Sequence, residues 1–465
     1  MSGQDTVPVQ GAATSLDAIR PCLEGAIPAT MATCSADGLP NATYVSQMMY
    51  VDARHVALSF QFFSKTRQNI LANPQATALV VDPACAVSYR LELLYLRTET
   101  AGALFQSLKA KLAGIASHTG MVGVFKLQGA DVYRVLSVER LPGMALQRAT
   151  PRRNLLAALR SLSARLQDCC ELAPLVDRTL AGLATDFDIQ HAMLLMADEA
   201  RHCLYMVGSR GYASTGVGSE IAYGDGVIGV AAQYRTPIRI NHMTTEYRYG
   251  SAAGSELPSS QRDLALRASI PFPGLPEPHS QLAVPILAYG RLIGVLCVES
   301  MQDLRFAYDD EDALVTLAAQ LGLAMAALQD AQPCPQDAGE NASGGDAAPA
   351  GAAAGAQPLE VRHYAVNDSI FIGGDYLIKG VPGAILWKLL RVWSESGRVD
   401  FSNRELRMCA DLGLPDVVDN LEARLILLQR RLAERCPQLA LQKTGRGLFR
   451  LCVRQSLQLV EVAEA

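Results

Sequence analysis

The first residues of this chain able to do chemistry together are Ser64-Lys65-Thr66-Arg67, inside the run ALSFQFFSKTRQNILANP. An apolar strand ends there in aromatic residues and gives way to the start of a helix. Hydroxyls, two cations and the free N–H groups of a first helical turn converge, a combination that suits a phosphate. The same residues would also serve as an ordinary helix cap with solvated charges. A second group lies between Ile240 and Pro278, a long stretch rich in Gly, Ser and Pro. Its His242, Tyr247, Arg248, Tyr249 and Arg267 are polar groups able to line a ligand pocket. Loops of that length in a compact domain are usually functional or disordered. The arginines would suit an anion.

Other reactive side chains point away from metal or disulfide chemistry. Eleven cysteines are scattered without a CxxC pair, which argues against a disulfide framework and for a reducing cytoplasm. His202 and Cys203 are adjacent, so on a strand they face opposite sides and make a poor metal pair. Cys169-Cys170 would suit a redox switch or two packed thiols. The formal charge is −5 and the pI about 5.9, so the whole chain is no general binder of nucleic acid or membrane, although a local basic face is compatible with it. The opening MSGQDTVPVQGAATS has no basic segment followed by an apolar one, and no signal peptide is expected. No run of about 18 apolar residues stands out, so no membrane span is expected either.

The elements that must position these residues divide the 465-residue chain into about three domains. Residues 1–14 are expected to be a disordered tail. In 15–145, strands are predicted at Pro28–Cys34, Asn41–Tyr50, His55–Phe60, Ala76–Asp82, Gly123–Leu127 and Asp131–Val138, with a helix at Phe105–Ala116. Many closely spaced strands with few helices suggest a small barrel. In 146–171, Leu155, Leu159, Leu162 and Leu166 recur at helical spacing, predicting a connecting helix that packs on its own domain or forms a short two-chain coiled coil. Residues 172–330 centre on QLAVPILAYGRLIGVLCVES, two strands about a turn at Gly290-Arg291, followed by a helix from the acidic Asp309–Asp312 cluster to Leu328. The Ala-, Gly- and Pro-rich 331–358 reads as a flexible linker spanning about 25–30 Å. Residues 359–455 read as hairpin, three helices and a second hairpin with a Gly-Arg-Gly tip. A tail occupies 456–465.

Three resemblances follow. PATMATCSADGLPNATYV, FQFFSKTRQNILANPQATALVV and GVFKLQGADVYRV resemble the FMN-binding split barrel of pyridoxamine-5′-phosphate oxidase-like proteins. That resemblance implies a site between two subunits of a homodimer, with Gln61, Ser64, Lys65 and Arg67 on the flavin phosphate and ribityl chain. His118, in SHTGMVGVF, is placed to touch a cofactor or to hydrogen-bond its own turn. The true oxidases carry an Arg-rich C-terminal segment for their pyridoxal substrate. Here the barrel stops near Pro142 and a helix follows, which argues against oxidase catalysis. Relatives of this kind hold FMN, haem or nothing.

The stretch from Gly224 through Leu328 resembles a GAF domain, a small-molecule sensor, without the Asn-Lys-Phe-Asp-Glu signature of the cyclic-nucleotide binders. QRRL (Gln429–Leu432) followed by KTGRGLFRL resembles the winged-helix output domain of OmpR/PhoB-type regulators. That resemblance implies contacts to double-stranded DNA from Arg424, Gln429, Arg430 and Arg431 on one helix and from Lys443 and Arg446 in the wing. The charge balance tempers it: 15 Arg and Lys face 13 Asp and Glu from 359 onward, and Leu425–Leu428 are apolar enough to serve a protein partner. The fold class expected is a multidomain α+β chain of split β-barrel, GAF α/β sandwich and winged helix. The function expected is a cytoplasmic one-component transcription regulator. The alternatives are a flavin-dependent oxidoreductase with regulatory domains and a protein-interaction scaffold.

Overall fold

A computed structural model describes residues 14–23, 27–45, 48–60, 64–102, 104–109, 112, 127–143, 145–146, 153–240, 270–276, 278–330, 358–409, 412, 421–445 and 447–462. The predicted strand at Gly123–Leu127 save its last residue, most of the expected linker and residues 1–13 of the opening tail lie outside these, as do Gln61, His118, His242, Tyr247, Arg248, Tyr249, Arg267 and Arg446.

The first domain is a seven-stranded antiparallel sheet ordered β2-β1-β5-β6-β7-β4-β3. Its strands are β1 (Ala29–Cys34), β2 (Pro40–Val45), β3 (Met48–Asp52), β4 (His55–Phe60), β5 (Gln75–Val81), β6 (Ser88–Glu99) and β7 (Gly129–Arg140). Alternating residues such as Met31, Ala78, Val80, Leu91 and Leu93 bury its inner face, as period-2 patterning requires. Between β4 and β5 lies α1 (Lys65–Ala72). The long β6 was not expected. Its Arg90, Glu92, Arg97 and Glu99 pair with each other or with Glu139, so a strand that reads as charged belongs to the sheet.

The predicted connecting helix is α2 (Leu155–Gln167). Its buried Ala158, Leu162 and Leu166 join the core of the middle domain, so the seam packs on its own chain rather than on a second copy. The middle domain is a six-stranded antiparallel sheet ordered β10-β9-β8-β13-β12-β11. It comprises β8 (His191–Asp198), β9 (Cys203–Arg210), β10 (Glu220–Ala222), β11 (Ile238–Ile240), β12 (Ser280–Ala288) and β13 (Arg291–Ser300). Three helices cover one face: α2, α3 (Leu172–Thr185) and, after β13, α5 (Tyr308–Asp330). The opposite face carries α4 (Gly226–Tyr234). The β12–β13 turn is Tyr289-Gly290, both with positive φ, one residue before the predicted pair; two left-handed residues suit a tight hairpin.

Residues Tyr308–Leu328 of α5 are long and apolar enough to cross a membrane by length and composition alone. Its Leu314, Leu317, Leu321 and Met325 are instead buried on the sheet. First and middle domains meet where the Arg20 guanidinium lies between the rings of Tyr50 and Tyr308, 4.9 and 4.4 Å from their centroids.

The C-terminal domain begins with β14 (Leu359–Tyr364), β15 (Ser369–Ile372) and β16 (Asp375–Ile378). It continues with α6 (Val381–Ser396), β17 (Asp400–Ser402), α7 (Asn403–Arg407) and α8 (Leu421–Arg435), then β18 (Leu439–Gly445) and β19 (Leu448–Val453). The expected tail is not a tail: β20 (Leu457–Val462) pairs in parallel with β14, completing the four-stranded sheet β16-β15-β14-β20. Its alternation, LQLVEV, is a strand signal that needs a distant partner. Helix α7 opens on Ser402, whose hydroxyl accepts from the Glu405 N–H.

Candidate functional site

In the first domain, Ser64 is the N-cap of α1 and its hydroxyl accepts from the Arg67 N–H at 3.3 Å. Lys65 is exposed beside it. Arg67 is engaged elsewhere. Its Nη1 donates to both carboxylate oxygens of the buried Asp131, and its Nη2 donates to Thr98 at 3.0 Å. Its guanidinium lies 3.8 Å from the centroid of the Phe60 ring. The Thr98 hydroxyl in turn donates to Asp131 at 2.5 Å. The network neutralises Arg67 inside the domain. A phosphate on α1 would be met by Lys65 and the first-turn N–H groups, without a free Arg67 charge. Arg67, expected at a flavin phosphate, is paired here with a buried aspartate 64 residues along the chain.

The middle sheet has two unlike faces. Met193, Leu195, Leu204, Met206, Val295 and Cys297 point toward α4. Pairing and alternation put His191, Gln281 and Glu299 on that face at one end of the sheet. There the Glu299 carboxylate, buried at 5% exposure, accepts from Gln281 Nε2 at 2.6 Å and from the Leu275 N–H at 3.0 Å. The His191 and Tyr212 rings lie tilted at 59° to each other, 5.5 Å between centroids. Burial pushes the Glu299 carboxyl above the usual range, against its hydrogen bonds. Burial also raises the Cys297 thiol, with the Glu299 charge adding to it. That thiol is neutral and no nucleophile. A largely apolar sheet face ending in a hydrogen-bonded carboxyl and amide beside an imidazole has the composition of a candidate small-molecule site. The five pocket residues expected from the Ile240–Pro278 loop lie outside the described residues. This cluster was missed because Gln281 and Glu299 sit inside strands that read as wholly apolar.

The other face of the sheet carries the C-terminal domain. Arg424 Nη2 donates to Asp198 Oδ2 at 2.7 Å; the two side chains are 3% and 6% exposed. The Arg424 guanidinium lies 4.4 Å from the Tyr205 ring centroid. Arg430 donates to the Val207 carbonyl at 2.5 Å and to Asp177 at 2.7 Å. It approaches the β9 backbone over Gly208, where a Cβ would stand 2.7 Å from the guanidinium. Arg431 is buried and donates to the Leu377 carbonyl of its own domain at 3.1 Å. Lys443 Nζ lies 2.8 Å from Glu171. Of the expected DNA contacts described, Gln429 alone is exposed without an engaged charge. Helix α8 is thus seated between α6 and β18 of its own domain and α3 and β9 of the middle one. Residues of both domains form one continuous apolar core. Arg424, Arg430 and Arg431, expected to contact a duplex, are each engaged by protein acceptors in this arrangement.

Sequence comparison matches the first two modules. Residues 15–132 match the profile of pyridoxamine 5′-phosphate oxidase, and residues 171–325 match the profile of the GAF domain. The chain therefore joins a split-barrel-like module of that oxidase type to a GAF sensor module. Among solved structures it is similar to the GAF domain of an Acinetobacter phosphoenolpyruvate-protein phosphotransferase, with 21% identity, 38% of this chain and 96% of that one covered, and a TM-score of 0.30. It is also similar to the free methionine-R-sulfoxide reductase of Neisseria meningitidis, with 21% identity, 38% and 92% covered and a TM-score of 0.29. A third similarity is to an FMN-binding protein of Syntrophomonas wolfei, with 14% identity, 27% and 85% covered and a TM-score of 0.23. No curated protein matches the chain.

Proposed function

We propose that the chain is a cytoplasmic one-component transcription regulator, dimeric through its first domain, whose output is a C-terminal winged helix that binds double-stranded DNA. The observation that carries this reading is the two-sided use of one sheet. Strand β9 turns Leu204 and Met206 toward the candidate ligand face and Tyr205 and Val207 toward α8. A ligand that shifts the strand moves the seat of the output helix by the same backbone. The order hairpin, α6, α7, α8, hairpin supports a winged helix, with α8 as the groove-entering element. In the first domain, FMN suits the exposed Lys65 and the start of α1. These would hold its phosphate, and the bound flavin would supply a redox-sensitive group.

Selection from a random duplex library with the full chain, in oxidised and reduced buffer, tests the reading. Enrichment of a paired motif by either form supports it; no enrichment by any form, including variants at Asp198, contradicts it. A second reading has the burial of Arg424 and Arg431 in its favour: α8 is a permanent protein-contact helix and the C-terminal domain a scaffold. A steep loss of duplex affinity with salt separates the first reading from the second.

A further inference from the structure

The GAF module presents acids to four cations of the C-terminal domain. Asp198 takes Arg424 and Asp177 takes Arg430, while Glu171 takes Lys443. At the edge strand, Glu220 takes Lys379 at 3.1 Å and Arg201 at 2.7 Å. Four carboxylates, at the N-cap of α3, within α3, on β8 and on β10, thus meet four basic groups of the C-terminal domain, Glu220 being shared with Arg201 of its own domain. Carboxylates and phosphates are recognised by the same geometry, charge-assisted N–H donors converging on oxygen pairs. Three of the residues expected to hold a duplex are the ones held here.

We infer that the GAF module is an intramolecular competitor for the duplex, its acids occupying the cations of α8 and the following hairpin in place of DNA phosphates. This rests on the reading of the C-terminal domain as a winged helix. The arrangement described is then the silent state of the regulator. Duplex and sensor cannot hold α8 together, because Arg424 and Asp198 are sealed from solvent at 3% and 6% exposure. Binding requires the domain to leave the sheet, and the apolar contact of Leu427 above Gly218 must open with it. The competing acids differ in accessibility. Asp177 is 66% exposed and Glu171 43% exposed, so their charge can be reversed without disturbing the sheet core.

The test uses the full chain and a fluorescent duplex of random sequence at low salt, read by anisotropy, with small-angle scattering to report whether the C-terminal domain has come away. Two variants are compared with the wild type: Glu171→Lys with Asp177→Lys, which repels Lys443 and Arg430, and Asp198→Asn, which removes the buried countercharge. The expected result is at least a tenfold gain in duplex affinity in either variant, with a larger radius of gyration and a steeper dependence on salt as more phosphates are contacted. Wild type that binds as tightly as both variants overturns the inference alone, since α8 is then not what the acids withhold. Variants whose domain comes away yet which ignore the duplex overturn the winged-helix reading and the inference with it. A domain that stays seated in both variants overturns the inference by showing the contact to be a fixed part of the fold.

Discussion

Two buried arginine–aspartate pairs invite comparison. Arg67–Asp131 lies within the first domain, at the start of a helix and under the Phe60 ring. Arg424–Asp198 joins two domains, with the Tyr205 ring below the guanidinium. In sequence both arginines read as anion-binding groups beside a helix, one for a flavin phosphate and one for DNA. In the structure both are neutralised by an aspartate distant in the chain. The difference is what each pair joins. The first pair ties α1 to β7 within a single domain. The second joins two domains that each have their own sheets. On the proposal made above, the first is a structural bond and the second is the contact that a signal opens.

That contrast yields a graded set of expectations. Arg67→Ala leaves Asp131 charged and buried, and should cost about 3–5 kcal/mol of the first domain's stability, as removal of one partner of a buried pair does; urea unfolding followed by first-domain probes measures it. Arg424→Ala should cost less, roughly 1–3 kcal/mol, because domain separation lets water reach Asp198 before anything unfolds. Equal losses at the two sites would erase the distinction.

Glu299→Gln tests the ligand face. Its carboxyl titrates above the usual range because it is buried. The native state therefore holds a proton that the unfolded chain releases, and stability falls as pH rises from the ordinary glutamate range through the raised value. Glu299→Gln should flatten that fall in a series of melting temperatures across the window. Lys443→Ala should do least. Its bridge to Glu171 is about two-fifths exposed on each side, and such pairs contribute under about 1 kcal/mol. A larger effect would mean that this bridge, rather than Arg424, closes the interface.

Much of the scaffold was legible in the chain itself. The strand–turn–strand of β12 and β13 stands out by its apolar runs, and His55–Phe60 was placed to the residue. What escaped has a physical pattern. β6 was hidden because its charged residues find partners across or along the sheet. β20 was hidden because its partner β14 lies at the other end of the domain, and a parallel pairing leaves no hairpin signal. The largest omission was the seat of α8. Arg424 and Asp198 are 226 residues apart, and a cation awaiting phosphate looks in sequence like a cation already held by a carboxylate. The polar end of the ligand face escaped for a related reason: Gln281 and Glu299 satisfy each other across two buried strands.

Hydrogen exchange over Leu421–Arg435 in the full chain, wild type against Asp198→Asn, tests the account most directly. Exchange in α8 and in the facing strand Cys203–Arg210 should accelerate together in the variant, while the first-domain strands β5 and β6 keep wild-type protection. If α8 stays as protected in the variant as in the wild type, the sensor sheet does not govern that helix, and the coupling described here is contradicted.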